Sequence, residues 1–242
     1  MWVFLYEEYN GWAPTSDTLL WLPFTEDALD HSQYEHTVTV VNWNNFSFDT
    51  FSNGGGCMRL NPSSTQTYFS ISWNDLLWDY NTSATWAWKI SEAVVPSGSD
   101  SWAATAAFWY NTQLQIWYLD QTTSSWYNSN NLRVPNGPEW YWSSSSYIEY
   151  DSSDVRCTGT TVRSVIITFD ANTKVMKSYL DNTLFYERDF TAWPSRTANQ
   201  CVIWKNLYAN DPRRCLNAKT AHIVYELWVW DSDRISKYVE LL

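Results

Sequence analysis

Glycine is scarce in this chain, with 7 residues in 242, about 3% against a usual share of roughly 7%. Turns that need a left-handed residue are therefore expected to fall on Asn, Asp and Ser. Cysteine is sparse too. Four residues, at 57, 157, 201 and 215, are too few for a disulfide scaffold, and no C-x-x-C pair points to zinc. Cys201 and Cys215 could bridge two late strands, or all four stay free thiols. Three histidines (31, 36 and 222) and no G-x-S-x-G elbow argue against a nucleophile triad. No run reaches the roughly 18 apolar residues of a membrane-crossing helix. Met1–Asn10 carries no basic residue and meets Glu7-Glu8 at once, so it is not read as a secretory signal. Cations are outnumbered, 15 Lys and Arg against 26 Asp and Glu, for a net charge of −11. That balance argues against nucleic acid and against an anionic membrane surface as partners.

Aromatic residues are abundant instead: 18 Trp, 16 Tyr and 10 Phe. Such side chains suit pleated, half-buried surfaces, and most of the tryptophans are expected to fill the gap between two sheets. The segment VRSVIITFDANTKVMKSYLDNTLFYERDF, residues 162–190, predicts three strands. Asp170–Thr173 predicts an Asx-type turn between the first two. Asp181-Asn182 predicts a two-residue hairpin in which Asn takes the positive φ. A strand over 85–94 places Trp86 and Trp88 on one face. Further strands are expected at 18–23, 37–43, 46–51, 57–60, 68–73, 147–155, 201–208 and 222–230. A hairpin is expected about Asn111-Thr112, followed by a polar loop over 120–132. Gly54–Gly56 reads as a sharp turn without a phosphate-loop pattern. Residues 232–242 predict a short helix capped by Ser232. Many short strands and one helix predict an all-β, two-sheet antiparallel sandwich. A single domain over 18–242 follows an N-terminal extension, 1–17, whose apolar Trp2–Tyr9 is expected to pair with an edge strand or another chain.

The strand ending ITFD followed by KSYLDNTLF resembles the central meander of laminin-G-like, concanavalin-A-like domains. TLLWLPFTEDALDHS (18–32) resembles that family's opening strand, acidic turn and Asp-x-Ser element. IVYELWVWDSDRISKYVELL (223–242) resembles its closing strand and final helix, and ATWAWKI (84–90) its early inward strand. The resemblance implies a jelly roll. It also implies a Ca²⁺ site of hard oxygen ligands, for which Asp17, Asp27 and Asp30 stand in the matching region, with a local turn cap as the alternative role of Asp30. IEYDSSD (148–154) faintly resembles the catalytic strand of β-glucanases of this fold, with Glu149 and Asp151 on one face and Asp154 in place of a longer Glu. A solvated acidic edge is the competing reading, and no catalytic residue is assigned.

Sugar binding requires aromatic faces beside amide and hydroxyl groups. The candidates are Trp117, which shares a strand face with Gln113 and Gln115, then Trp126, Tyr127 and Asn128 in the polar loop, and Trp140 and Trp142 beside the serine run. Packing beneath loops or against a neighbouring subunit is the alternative role for these rings. The expected function is a non-enzymatic structural or binding module on a virion surface, a setting in which proteins resembling this one occur. A secreted or cell-surface lectin is the alternative and a β-glucanase-like hydrolase the second. The expected partner is a glycan or a neighbouring surface protein, in a homo-oligomer or larger assembly, at a virion surface or outside the cell. No cofactor is expected beyond that possible Ca²⁺.

Overall fold

The computed structural model describes residues 11–61, 67–71, 81–93, 110–111, 114–115, 118–121, 130–135, 147–149, 157, 159–189, 201–203 and 217–241. Sixteen strands and one α-helix appear among them. In chain order the strands are β1 (Thr18–Leu22), β2 (Val38–Val41), β3 (Phe46–Thr50), β4 (Gly56–Leu60), β5 (Tyr68–Ile71), β6 (Ala84–Ser91), β7 (Tyr110–Asn111), β8 (Leu114–Gln115), β9 (Tyr118–Gln121), β10 (Asn130–Pro135) and β11 (Tyr147–Glu149). They continue with β12 (Arg163–Asp170), β13 (Val175–Leu180), β14 (Thr183–Asp189), β15 (Cys201–Ile203) and β16 (Ala218–Glu226), and the helix is α1 (Ser232–Glu240).

One large antiparallel sheet runs β14-β13-β12-β6-β16-β4-β3, with β1 also paired to β16. A three-stranded sheet, β15-β5-β2, supplies the second layer. The strands β9, β10 and β11 form a separate sheet, and β7 pairs with β8. The expectation of a loop through residues 130–132 is therefore corrected, because Asn130–Pro135 pairs with both β9 and β11.

The central strand β6 is buried along its whole length, because both faces of the large sheet are covered. On one face Trp86, Trp88 and Ile90 join Val165, Ile167, Met58, Leu60, Tyr225, Phe69 and Ile71 in the main core. Trp86 stands in register with Tyr225, and the rings stack 5.7 Å apart and 2° from parallel. On the other face Ala87, Ile166 and Val224 meet Ile235, Tyr238 and Leu241 of the helical segment, together with Trp12, Trp21 and Trp230. Trp12 is fully buried there, so the packed body of the domain reaches back into the segment the sequence suggested was an extension.

Both faces are served by one irregularity in β16. A bulge falls between Ala221 and Val224, with His222 in the left-handed region at φ 49°. The extra residue shifts the alternation by one, so that Ala218 before it and Ile223 and Tyr225 after it all enter the main core while Val224 enters the other. His222 N–H donates to the Pro23 carbonyl, and the Tyr238 hydroxyl donates to the His222 carbonyl at 2.6 Å. Burial, followed by the nearby Lys89 charge, pushes the imidazole pKa down to about 3. The residue is structural, as expected, but sits within the strand rather than at its start.

The meander β12–β14 follows its predicted course. Asp170 Oδ1 accepts from Asn172 N–H, as an Asx turn requires. At the second turn the left-handed residue is Asp181 (φ 55°), not Asn182. Asp181 is held there by Ser164 N–H and Arg163, both donating to its carboxylate. Scarce glycine has a wider consequence. Asn42 and Asp181 are of the residue types expected at positive φ, but Phe24, Glu35, Glu92, Cys157, Lys174 and His222 take it too, each at a cost of about 1–3 kcal/mol. Gly56 has a different reason to be glycine: a Cβ there would lie 3.1 Å from the Thr25 backbone. The helix cap also differs from expectation, because Asp231 rather than Ser232 accepts from Arg234 N–H.

Candidate functional site

The aromatic segment chosen from sequence (Trp117, Trp126, Tyr127, Asn128, Trp140 and Trp142) lies outside the described residues, as do Trp2–Tyr9, Asp151, Asp154 and Cys215. Glu149 is placed by its backbone in β11. Cys57 and Cys157 are buried and form no disulfide, and burial pushes each thiol up to about 12.

The acidic residues of the opening segment have clear structural roles. Asp30 Oδ1 accepts from the N–H groups of Trp21 and Ser32, and Oδ2 from Ser32 Oγ, the His36 N–H and the His36 ring. Burial pushes this carboxyl up, but the bond from His36 and the three backbone N–H groups outweigh it and hold the pKa below the usual carboxylate value. The Ser32 hydroxyl also lies 3.1 Å from the Leu19 carbonyl, so its one proton is shared between that oxygen and Asp30, and His31 N–H donates to the Trp21 carbonyl. Asp30-His31-Ser32 thus covers the outer edge of β1 and satisfies backbone groups that an edge strand leaves open. Asp27 accepts from Leu29 N–H and lies 2.9 Å from the His31 ring. Among the described residues no group of three or more His, Cys, Asp or Glu is placed to hold a metal ion, so Asp17, Asp27 and Asp30 do not converge.

A different aromatic surface does form. The chain leaves the small sheet at Val41 and must reach the edge of the large sheet at Phe46. Asn42, left-handed at φ 60°, starts a single 3₁₀ turn over Trp43–Asn45 that makes this crossing. Asn45 anchors it, donating to Thr67 Oγ1 at 2.8 Å and accepting Asn61 N–H through its carbonyl. Phe46 is buried and lies 4.8 Å from Phe69, which stacks at 4.8 Å on Phe24. Trp43 lies 6.1 Å from Phe46 and 6.2 Å edge-on from Phe48. A continuous aromatic column therefore runs from the core to the surface and ends in two open rings, Trp43 at 48% and Phe48 at 42% exposure. The exposed residues Asn42 and Asn44 flank Trp43 in the same turn. An exposed aromatic patch with a polar rim marks an interaction surface. Sequence reasoning passed over it, yet the signal was present in NWNNFSF (42–48), the same mixture of rings and amides used to select residues 117–131.

The opposite face of this sheet edge is ionic. Lys219 Nζ lies 3.2 Å from Asp49 and 3.0 Å from Glu92, and donates to the Thr50 carbonyl at 2.8 Å. Arg59 lies 3.3 Å from Glu92. Burial disfavours the Lys219 charge, but the bonds to Glu92 and Asp49 outweigh it and raise its pKa. The Thr50 N–H, and then Lys219, hold Asp49 below the usual carboxylate range despite some desolvation.

No protein-family model matches the chain, and no curated protein does. Solved structures do. The binding domain of Paraclostridial Mosquitocidal Protein 1 superposes with a TM-score of 0.66 at 11% identity, over 92% of this chain and 52% of that one. The botulinum neurotoxin serotype D binding domain gives 0.61 at 15% identity, over 93% and 51%. The serotype D ligand-binding domain in complex with N-acetylneuraminic acid gives 0.62 at 16%, over 93% and 50%. The chain thus spans about half the length of the solved chains it matches. At these identities the likeness is one of fold.

Proposed function

We propose that the protein is a non-enzymatic glycan-binding module on a concanavalin-A-like jelly roll, and that Trp43 and Phe48 form its sugar platform. The observation that carries the reading is the column Phe24–Phe69–Phe46–Trp43, which holds an exposed ring in a fixed pose beside the exposed Asn42 and Asn44. A sugar presents C–H faces to such a ring and hydroxyls to Asn42 and Asn44. Because the ring is pre-positioned by the core, little conformational entropy is lost on binding. Further support comes from the structural neighbours, which are binding domains, one of them solved with a sialic acid. The hydrolase reading rests on Glu149, Asp151 and Asp154, of which the last two lie outside the described residues.

The test is Trp43→Ala on a glycan array, with circular dichroism to verify folding. Removing a central aromatic anchor costs about 2 kcal/mol or more, roughly a thirtyfold loss of affinity. Unchanged glycan binding by a folded Trp43→Ala protein removes the platform. The parallel substitution Trp126→Ala tests the segment chosen from sequence. The proposed setting is a virion or other extracellular surface, and mass spectrometry of purified particles and of secreted medium tests it.

A further inference from the structure

We infer that a second sugar site, for a disaccharide or longer glycan, lies at the far end of β16 from Trp43, around the turn that precedes β1. The inference rests on the glycan-binding reading and adds a site to it. Ala218, at the start of β16, is in register with Leu60, and Leu60 with Phe46 beside the Trp43 turn. The strand ends at Glu226, shortly before Trp228. Nine residues at about 3.3 Å each put the two ends roughly 25–30 Å apart.

At the far end Ser16 and Asp17 form the tip of a turn closed by Thr18 N–H on the Thr15 carbonyl at 3.1 Å. Its two tip carbonyls are both held. Leu227 N–H donates to that of Asp17 at 2.9 Å, and the Gln33 amide to that of Ser16 at 2.8 Å, with the Tyr34 hydroxyl 3.4 Å from the same oxygen. Thr85 Oγ1 donates to the Trp228 carbonyl at 2.6 Å and accepts Trp230 N–H at 3.1 Å, which fixes the segment carrying Trp228. Trp228 is 46% exposed and Tyr34 41%, and Asp17 and Gln33 are exposed beside them. Each group suits a sugar. The rings offer faces to its C–H groups. A carboxylate accepts from two hydroxyls on adjacent carbons in charge-assisted bonds. Gln33, anchored through one N–H, brings a second N–H and its oxygen. The anchored turn leaves little to be ordered on binding. β16, β1 and the Asp30–Ser32 segment run side by side here, so the backbones of Trp228 and Tyr34 stand about 10 Å apart, two strand spacings. That is the reach of two sugar rings, not one.

The experiment counts bound ligand by native mass spectrometry on the whole chain, with cellobiose, maltose and lactose as probes, glucose as the single-ring control, and circular dichroism to verify folding. Wild type is expected to take up two copies of at least one disaccharide, Trp43→Ala and Trp228→Ala one each, and the double variant none. In the Trp43→Ala background, Trp228→Ala and Asp17→Asn should each weaken the remaining site at least about tenfold, and glucose should bind it more weakly than the disaccharide. If Trp228→Ala fails to fold, Asp17→Asn decides. One copy kept in Trp43→Ala and lost in Trp228→Ala supports the second site while removing the Trp43 platform. Folded Trp43→Ala that takes up none of the disaccharides that wild type binds overturns the second site and leaves the platform standing. Residual binding indifferent to Asp17 and Trp228, or wild type that takes up none of the three, also overturns the second site, and the Trp43 reading is then judged by its own glycan array.

Discussion

Two aromatic clusters in this molecule use the same side chains to opposite ends. Beneath α1, Trp12 lies edge-on to Trp21 at 5.5 Å and to Tyr238 at 5.9 Å, with Trp230 6.2 Å away. The Arg234 guanidinium covers Trp12 at 4.6 Å and Trp230 at 5.5 Å and bonds Glu226 at 2.9 Å. Every ring there is buried. At the β3 edge Trp43 and Phe48 lean on a core column from one side only. What separates the clusters is cover. The helix closes the first, whereas the small sheet does not extend over the second. The first cluster therefore contributes to stability and the second is available to a ligand.

The largest difference should come from truncating one ring in each cluster. Trp12→Ala is expected to lose about 3–5 kcal/mol, as for other large-to-small core changes, measured by urea unfolding. Trp43→Ala should lose far less, and a comparable loss would identify Trp43 as core and remove the contrast.

Next comes the helix-side lysine. Lys89 is buried, donates to the Val239 carbonyl at 2.7 Å and lies 5.1 Å from the centre of the Tyr238 ring. Burial pushes its pKa down to about 7, partly countered by the Asp181 charge. From about pH 7 up to 10.5, the ordinary lysine value, the unfolded chain holds a proton that the folded protein has released. Stability therefore rises with pH through this window, by up to about 1.4 kcal/mol per pH unit. Lys89→Met should flatten that rise in melts recorded between pH 7 and 9, and an unchanged slope would assign it to other groups.

A smaller effect is expected at the helix start. Asp231→Ala removes the cap on Arg234 N–H and should cost about 1 kcal/mol, whereas Ser232→Ala should cost little. Equal losses would return the capping role to Ser232. Smallest of all, Trp43→Ala should change stability by no more than about 1 kcal/mol while its binding loss remains measurable.

Much of the frame was legible. β-branched residues at 163–170, the Asx signal at Asp170 and the alternation through 175–180 carry their structure locally, so the meander emerged within a residue or so. Trp86 and Trp88 share a face for the same period-two reason. The TLLWLPFTEDALDHS segment also proved informative: its Asp-x-Ser element fixes the loop onto β1, although the resemblance suggested calcium ligands. The bulge at His222 was not legible, because it answers a tertiary demand that Ala218 before it and Ile223 and Tyr225 after it face one core. Nor was the strand in the polar run 130–135, where pairing with β9 and β11 overrides composition.

By itself, the sequence determined the strand-rich class, the central meander, the closing helix and the acidic balance, since each depends on periodicity, turn chemistry or a residue count. Only the tertiary structure decided which of the many aromatic rings is exposed. Trp12 and Trp43 both stand in short irregular segments with small or polar neighbours, and nothing local separates them. Burial depends on what packs on top. α1, more than 200 residues later in the chain, closes over Trp12, and among the described residues no element closes over Trp43.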